Sequence, residues 1–185
     1  ETEGNRIQQF ENPFIINQMT SKEAHAATIV PDFKDQQVYS GFVQVKDSGS
    51  SMYFISYSAQ KAGPEAPMIL WLQGGPGASS WAANLGEMGP YSLKTLKGGK
   101  YELVARDYTW NESYHLLFID NPFGAGYSYA SDEADYVTNE DQVAENLYTT
   151  LTTYFAKFPE YATNDFFIFG ESYAGHYIPA ASKYI

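Results

Sequence analysis

The amino-acid sequence predicts an α/β fold: a mixed, mostly parallel sheet entered through an antiparallel hairpin near its N-terminal end. Three observations carry this. Short apolar runs at Met68–Leu72, 116–119 and 166–169 show no alternation and end in Gly, Pro or polar residues. Strands buried on both faces read that way. A helical period separates the second run from the third, which is the strand–helix–strand order of a parallel unit. Two segments rich in β-branched and aromatic residues, 38–45 and 52–57, flank the turn cluster Lys46-Asp47-Ser48-Gly49-Ser50 and predict the hairpin.

In chain order, residues 1–36 show no period and carry Pro13 and Pro31, so an extended lead-in is expected, followed by one domain over 37–185. Residues 60–67, with Gly63, Pro64 and Pro67, predict a loop before the first apolar run. In the helix, Val143, Leu147, Leu151, Phe155 and Phe158 recur at helical spacing. Thr138 and Asp141 resemble a capping box at its start, and Pro159 stops it. A second helix is expected from Ala174, kinked or irregular because Pro179 removes a backbone donor. The sequence stops at Lys183-Tyr184-Ile185 without a capping signal, so the domain is expected to be truncated after this helix.

Composition excludes several functions. There are 11 basic and 22 acidic residues, a net charge of -11. Nucleic acid and anionic membrane are therefore not expected as partners. No cysteine is present, which excludes disulfides, thiol catalysis and cysteine metal sites within these residues. No apolar run is long enough to span a bilayer. Glu1-Thr2-Glu3-Gly4 lacks the regions of a signal peptide and reads as a mature or trimmed start. Asn111-Glu112-Ser113 is a glycosylation sequon, usable if the protein is secreted.

Chemistry concentrates at two strand ends. Gly170-Glu171-Ser172-Tyr173-Ala174-Gly175 joins an apolar strand to a helix, the setting of a nucleophile elbow. Small residues stand two before and two after the serine, Ala174 replacing the usual Gly. The same six residues also fit an ordinary strand–helix turn that contains a serine. Gly74-Gly75-Pro76-Gly77 follows an earlier strand, where an elbow enzyme carries its second oxyanion donor. The expected donors are the N–H groups of Gly75 and Tyr173, with Ser172 as the nucleophile.

Together with the segment from Phe118 to Ser128, these blocks resemble the serine carboxypeptidase family, and in texture its vitellogenic-like members. The resemblance implies that residues 37–185 are the N-terminal part of an α/β-hydrolase domain. It implies release of single residues from peptide and protein C-termini through an acyl-enzyme at Ser172, with no cofactor and no metal. Gln73, Gly74, Glu87 and Glu171 would bind the substrate's terminal carboxylate. Carboxyl groups crowded beside a carboxylate cannot all be ionised, so an acid optimum and a secreted, lysosomal or vacuolar setting are expected. Two departures stand out: Gln73 where many members have Asn, and Ala78 where many have Cys.

A triad also needs an Asp and a His, which in this fold follow the serine. Only His176 follows Ser172, and no Asp does. His25 and His115 read as structural. The chain alone is expected to be inactive or nearly so. It is a fragment, one chain of a processed enzyme whose second chain carries the Asp and His, or a truncated form. An acyltransferase or esterase on the same scaffold, and a non-catalytic secreted binding protein, are the alternative readings.

Overall fold

The computed structural model describes residues 12–33 and 36–185. Helix α1 (Ser21–Thr28) precedes strands β1 (Val38–Gln44), β2 (Ser51–Tyr57) and β3 (Met68–Leu72). A single helical turn, α2 (Trp81–Ala83), widens into a π-helical turn over Asn84–Met88. Then come β4 (Tyr91–Thr95), β5 (Tyr101–Ala105), β6 (His115–Ile119), α3 (Glu140–Lys157), β7 (Phe166–Gly170) and α4 (Ala174–Tyr184).

The main sheet has the order β1-β2-β6-β3-β7. β1 and β2 form the expected antiparallel hairpin, from Val38↔Tyr57 to Gln44↔Ser51. β2 continues antiparallel onto β6, while β3 runs parallel to both β6 and β7. The fold is thus α/β, mixed and parallel at its centre. β6 and β7 are joined through α3 but are not neighbours, because β3 lies between them.

Helices α1, α3 and α4 cover one face of this sheet. Ala24, Leu147, Leu151, Tyr154, Ala174 and Tyr177 pack there against Phe54, Leu70, Leu72 and Leu117. On the other face, Ala83 and Met88 join Ile55, Tyr57, Ile69, Trp71 and Phe118. β3 and β6 are buried on both faces, as predicted. β7 is not. Phe166 and Ile168 pack inward, but Phe167 and Phe169 are 47% and 42% exposed. β7 is the edge strand, and of its second face only Phe169 meets a ring, that of Trp110 at 5.5 Å.

Three local expectations are corrected. The lead-in is not extended throughout, because α1 forms on a capping box: Thr20 Oγ1 accepts from Glu23 N–H, and the Glu23 carboxylate accepts from Thr20 N–H at 2.8 Å. Residues 1–11 and 34–35 of that lead-in lie outside the described residues. α3 is capped by Asn139, whose Oδ1 accepts from Gln142 N–H at 3.0 Å, not by Thr138 with Asp141. α4 is helical through Pro179 from Ala174 onward. The β4–β5 hairpin was not predicted. Its sequence signal is Gly98-Gly99, both at positive φ, in the turn closed by Leu96 N–H to Lys100 C=O at 2.8 Å.

Candidate active site

The end of β7 sets the first part of the site. A β-carbon on Gly170 would stand 2.5 Å from Leu72 C=O and 2.7 Å from the Ala174 Cβ, so position 170 must be bare. The same contact explains why Ala is tolerated at 174: only one of the two positions can carry a β-carbon. Ala174 itself is fully buried. Between them the chain reverses through Ser172 at φ 57°, the one non-glycine residue with positive φ among the described residues. Left-handed backbone costs an L-residue about 1–2 kcal/mol, and such strain collects at functional sites. The Ser172 side chain is exposed at the sheet's C-terminal edge.

α4 follows at once. Its first bonds run from Ala174 N–H to Glu171 C=O and from Gly175 N–H to Ser172 C=O, each at 3.0 Å. Tyr173 N–H donates to no group among the described residues and stays free beside the serine. The loop after β3 meets it there. A β-carbon on Gly74 would lie 2.7 Å from both Tyr173 N and Glu171 C=O and 3.0 Å from the Ser172 Cβ. Gly74 therefore lies flat against the elbow. Gly75 follows at φ 115° and Gly77 at φ 86°, conformations that only glycine adopts easily. Gly75 N–H is likewise without an acceptor among the described residues. One free N–H thus follows the serine directly and a second belongs to the loop packed on the elbow, and a pair of free N–H donors is what an oxyanion hole needs.

Gln73 sits at the base of this loop and is 9% exposed. Its Oε1 accepts from the Trp71 indole N–H at 2.9 Å, which fixes the amide and leaves its NH2 group as the donor. Ser80 accepts from Gln73 N–H at 3.2 Å and donates to Ile119 C=O at 2.6 Å, locking the loop to β6.

Asp120 is the residue that sequence reasoning missed. It is buried at the end of β6 and accepts from Ser79 Oγ, Ser80 N–H and Tyr127 N–H at 2.7, 2.8 and 2.9 Å. Burial raises its carboxyl pKa, and these three donors pull it back. A β-carbon on Gly126 would fall 2.0 Å from the Asp120 Oδ2, so this carboxylate claims the space. One buried acid therefore ties the loop of Gln73 and Gly74 to the 120–128 segment. Its signal in the sequence was the strand-end position, shared with Gln73 and Glu171.

Glu87 and Glu171 are brought together from the middle and the C-terminal part of the chain. Both are exposed. Partial loss of water raises the Glu87 carboxyl above its ordinary value, and the nearby Glu171 carboxyl raises it further. The π-helical turn that presents Glu87 is braced from behind. Arg106 donates to Leu85 C=O at 2.7 Å and Gly89 C=O at 3.0 Å, and Thr109 Oγ1 donates to Met88 C=O at 2.7 Å. Trp81 and Tyr127 cluster with Tyr53 at ring distances of 5.0–6.5 Å.

The remaining candidates do not join this site. His25 bonds Ser21 C=O and Glu160, at 2.7 and 2.6 Å. His115 accepts from Ala59 N–H at 2.9 Å inside the core. His176 lies on α4 with its ring 4.7 Å from Tyr173. Asn111 is corrected as a glycosylation site: it is fully buried, and its Nδ2 donates to Ser58 C=O and Tyr114 C=O at 3.0 and 3.1 Å. A glycan on that nitrogen is incompatible with this packing. Among the described residues no group of three His, Asp or Glu side chains could hold a metal ion, and no helix is long and apolar enough to cross a membrane.

Comparison with known proteins agrees with this geometry. The profile of the family described as Serine carboxypeptidase matches residues 30–185. The chain is 40% identical over 179 residues to the probable serine carboxypeptidase CPVL of Mus musculus, covering 95% of this chain and 36% of that one. It is 45% identical over 151 residues to the venom serine carboxypeptidase of Apis mellifera, covering 80% and 31%. A prohormone-processing carboxypeptidase from Saccharomyces cerevisiae superposes with TM-score 0.70 at 28% identity, covering 89% and 38%. The chain thus spans about a third of the length of the curated relatives it matches.

Proposed function

Because the chain belongs to the serine carboxypeptidase family, we propose that it supplies the nucleophile, oxyanion donors and carboxylate grip of an enzyme that removes C-terminal residues from peptides and proteins. Ser172 Oγ attacks the carbonyl of the last peptide bond and gives its proton to a histidine. That histidine and its aspartate come from outside these 185 residues, in the same polypeptide or a second chain. The carbonyl oxygen becomes an oxyanion held by Gly75 N–H and Tyr173 N–H. The C–N bond then breaks, and the released amine takes the proton from the histidine. Water next attacks the acyl-serine ester and restores Ser172.

The terminal carboxylate of the substrate lies against Gln73 NH2, Gly74 N–H and the Glu87–Glu171 pair. With its proton on, Glu87 offers an O–H donor. As pH rises through the raised Glu87 value, that donor is lost and a second negative charge faces the substrate. Substrate binding weakens as pH rises, which fits work in an acidic compartment, secreted or lysosomal.

One observation supports the reading most: Gly74 lies against the Ser172 elbow, which brings the glycine loop and Tyr173 N together beside the serine. The test uses full-length protein and two peptides that differ only in a free or amidated C-terminus. A carboxypeptidase cleaves the free acid at least a hundredfold faster. Equal rates would assign the site to ester cleavage or acyl transfer instead.

A further inference from the structure

The π-helical turn that carries Glu87, Asn84–Met88, is held in shape from outside. Such turns occur often at functional sites, and one this short cannot supply donors for its own last carbonyls. Asn84 Nδ2 donates to the Tyr57 hydroxyl at 3.0 Å, which ties the start of the turn to β2. A β-carbon on Gly89 would stand 2.1 Å from Asn84 C=O, so the end folds closely back on the start. Thr109 Oγ1 donates to Met88 C=O at 2.7 Å. Met88, Gly89 and Pro90 are buried by these contacts, while Gly86 and Glu87 stay exposed.

Arg106 completes this brace. It follows β5, and its own N–H donates to Pro90 C=O at 2.9 Å, so the β4–β5 hairpin returns to the turn from which it left. Its guanidinium bonds only backbone carbonyls. Nε donates to Gly89 C=O at 3.0 Å, and Nη2 donates to Leu85 C=O at 2.7 Å and to Tyr91 C=O at 3.4 Å. Among the described residues no carboxylate pairs with it. Leu85 and Gly89 stand two residues before and two residues after Glu87. One planar fork therefore spans the residue that meets Glu171. The single nitrogen of a lysine lacks that fixed fork.

We infer that Arg106 is a positioning residue for recognition of the substrate's terminal carboxylate: by bridging the carbonyls on either side of Glu87, it fixes the backbone that presents Glu87 beside Glu171. Arg106 acts only through Glu87. The inference rests on the carboxypeptidase reading above and adds to it a residue outside the carboxylate grip. Loosening of Glu87 weakens a contact that substrate and transition state share, so KM rises while kcat holds.

The test uses full-length protein carrying Arg106→Met, which keeps the stem and loses the donors, with free-acid and amidated peptides as substrates. Rates are taken per active site, counted by titration with a fluorophosphonate, so partial misfolding drops out. KM for the free acid is expected to rise about tenfold with kcat changed by less than about twofold, and KM for the amide to stay as it was. Arg106→Lys, the milder change, should show the same split at about threefold. In a Glu87→Ala background, Arg106→Met should raise KM no further, because the two residues act as one unit. An unchanged free-acid KM in both variants, equal rises for both peptides, or a further tenfold rise without Glu87 would overturn this inference alone. A parent enzyme that cleaves both peptides alike would overturn the carboxypeptidase reading and this inference with it.

Discussion

Gly74 and Ser172 touch across the ends of β3 and β7: a β-carbon on Gly74 would stand 3.0 Å from the Ser172 Cβ and 2.7 Å from Tyr173 N. The glycine loop and the elbow thus form a single packed unit. Gly74→Ala forces them apart and shifts the Tyr173 N–H. It is expected to lower kcat by about a hundredfold, the size of losing one oxyanion donor, with a smaller change in KM. Steady-state kinetics of the full-length variant checks this.

Ser172 stores strain at φ 57°. Ser172→Gly removes it and Ser172→Ala does not. Both variants lose the nucleophile, but the Gly variant should be more stable than the Ala variant by about 1 kcal/mol. Denaturant unfolding of the two proteins measures the difference.

The Glu87–Glu171 pair should govern pH dependence. In the parent enzyme, KM for free-acid peptides is expected to rise as pH climbs through the raised Glu87 value, because the Glu87 proton leaves. Glu87→Gln donates from an amide at every pH. Its KM profile should be flatter over the same range, while the amidated peptide shows no such rise in either protein.

Asn111 should carry no glycan. Ser113→Ala deletes the sequon at an exposed position and, in protein expressed through a secretory host, is expected to lower the mass by only the one oxygen atom of the substitution. Asn111→Ala leaves Tyr114 C=O without its side-chain donor and takes one of two donors from Ser58 C=O, a loss of about 1–3 kcal/mol of stability. Mass spectrometry and thermal unfolding read the two effects.

Asp120→Ala removes the acceptor of three hydrogen bonds that tie the loop of Gln73 and Gly74 to the 120–128 segment. Destabilisation of about 3 kcal/mol or more is expected, with a loss of kcat/KM. Urea unfolding and peptide assays should move together.

Much of this was legible from residue order. The apolar runs located β3, β6 and β7, and Gly170, Ser172 and the Gly74–Gly75 pair located the elbow and its loop. The less legible parts depend on contacts distant in sequence. Asp120 is an ordinary strand-end acid until Ser79, Ser80 and Tyr127 converge on it. Asn111 matched a sequon, and only tertiary packing buries it. β7 read as buried on both faces because Phe167 and Phe169 are as apolar as Phe166 and Ile168, although edge position leaves them exposed. α1 was hidden because its short, Ala-rich sequence has little apolar period, despite the Thr20–Glu23 box.

The central claim is that Ser172 is the attacking group. Full-length protein treated with a fluorophosphonate should gain the mass of one adduct, located on Ser172 by peptide mapping and lost in Ser172→Ala. Folded, peptide-cleaving protein with no adduct, or with the adduct on another residue, would contradict it.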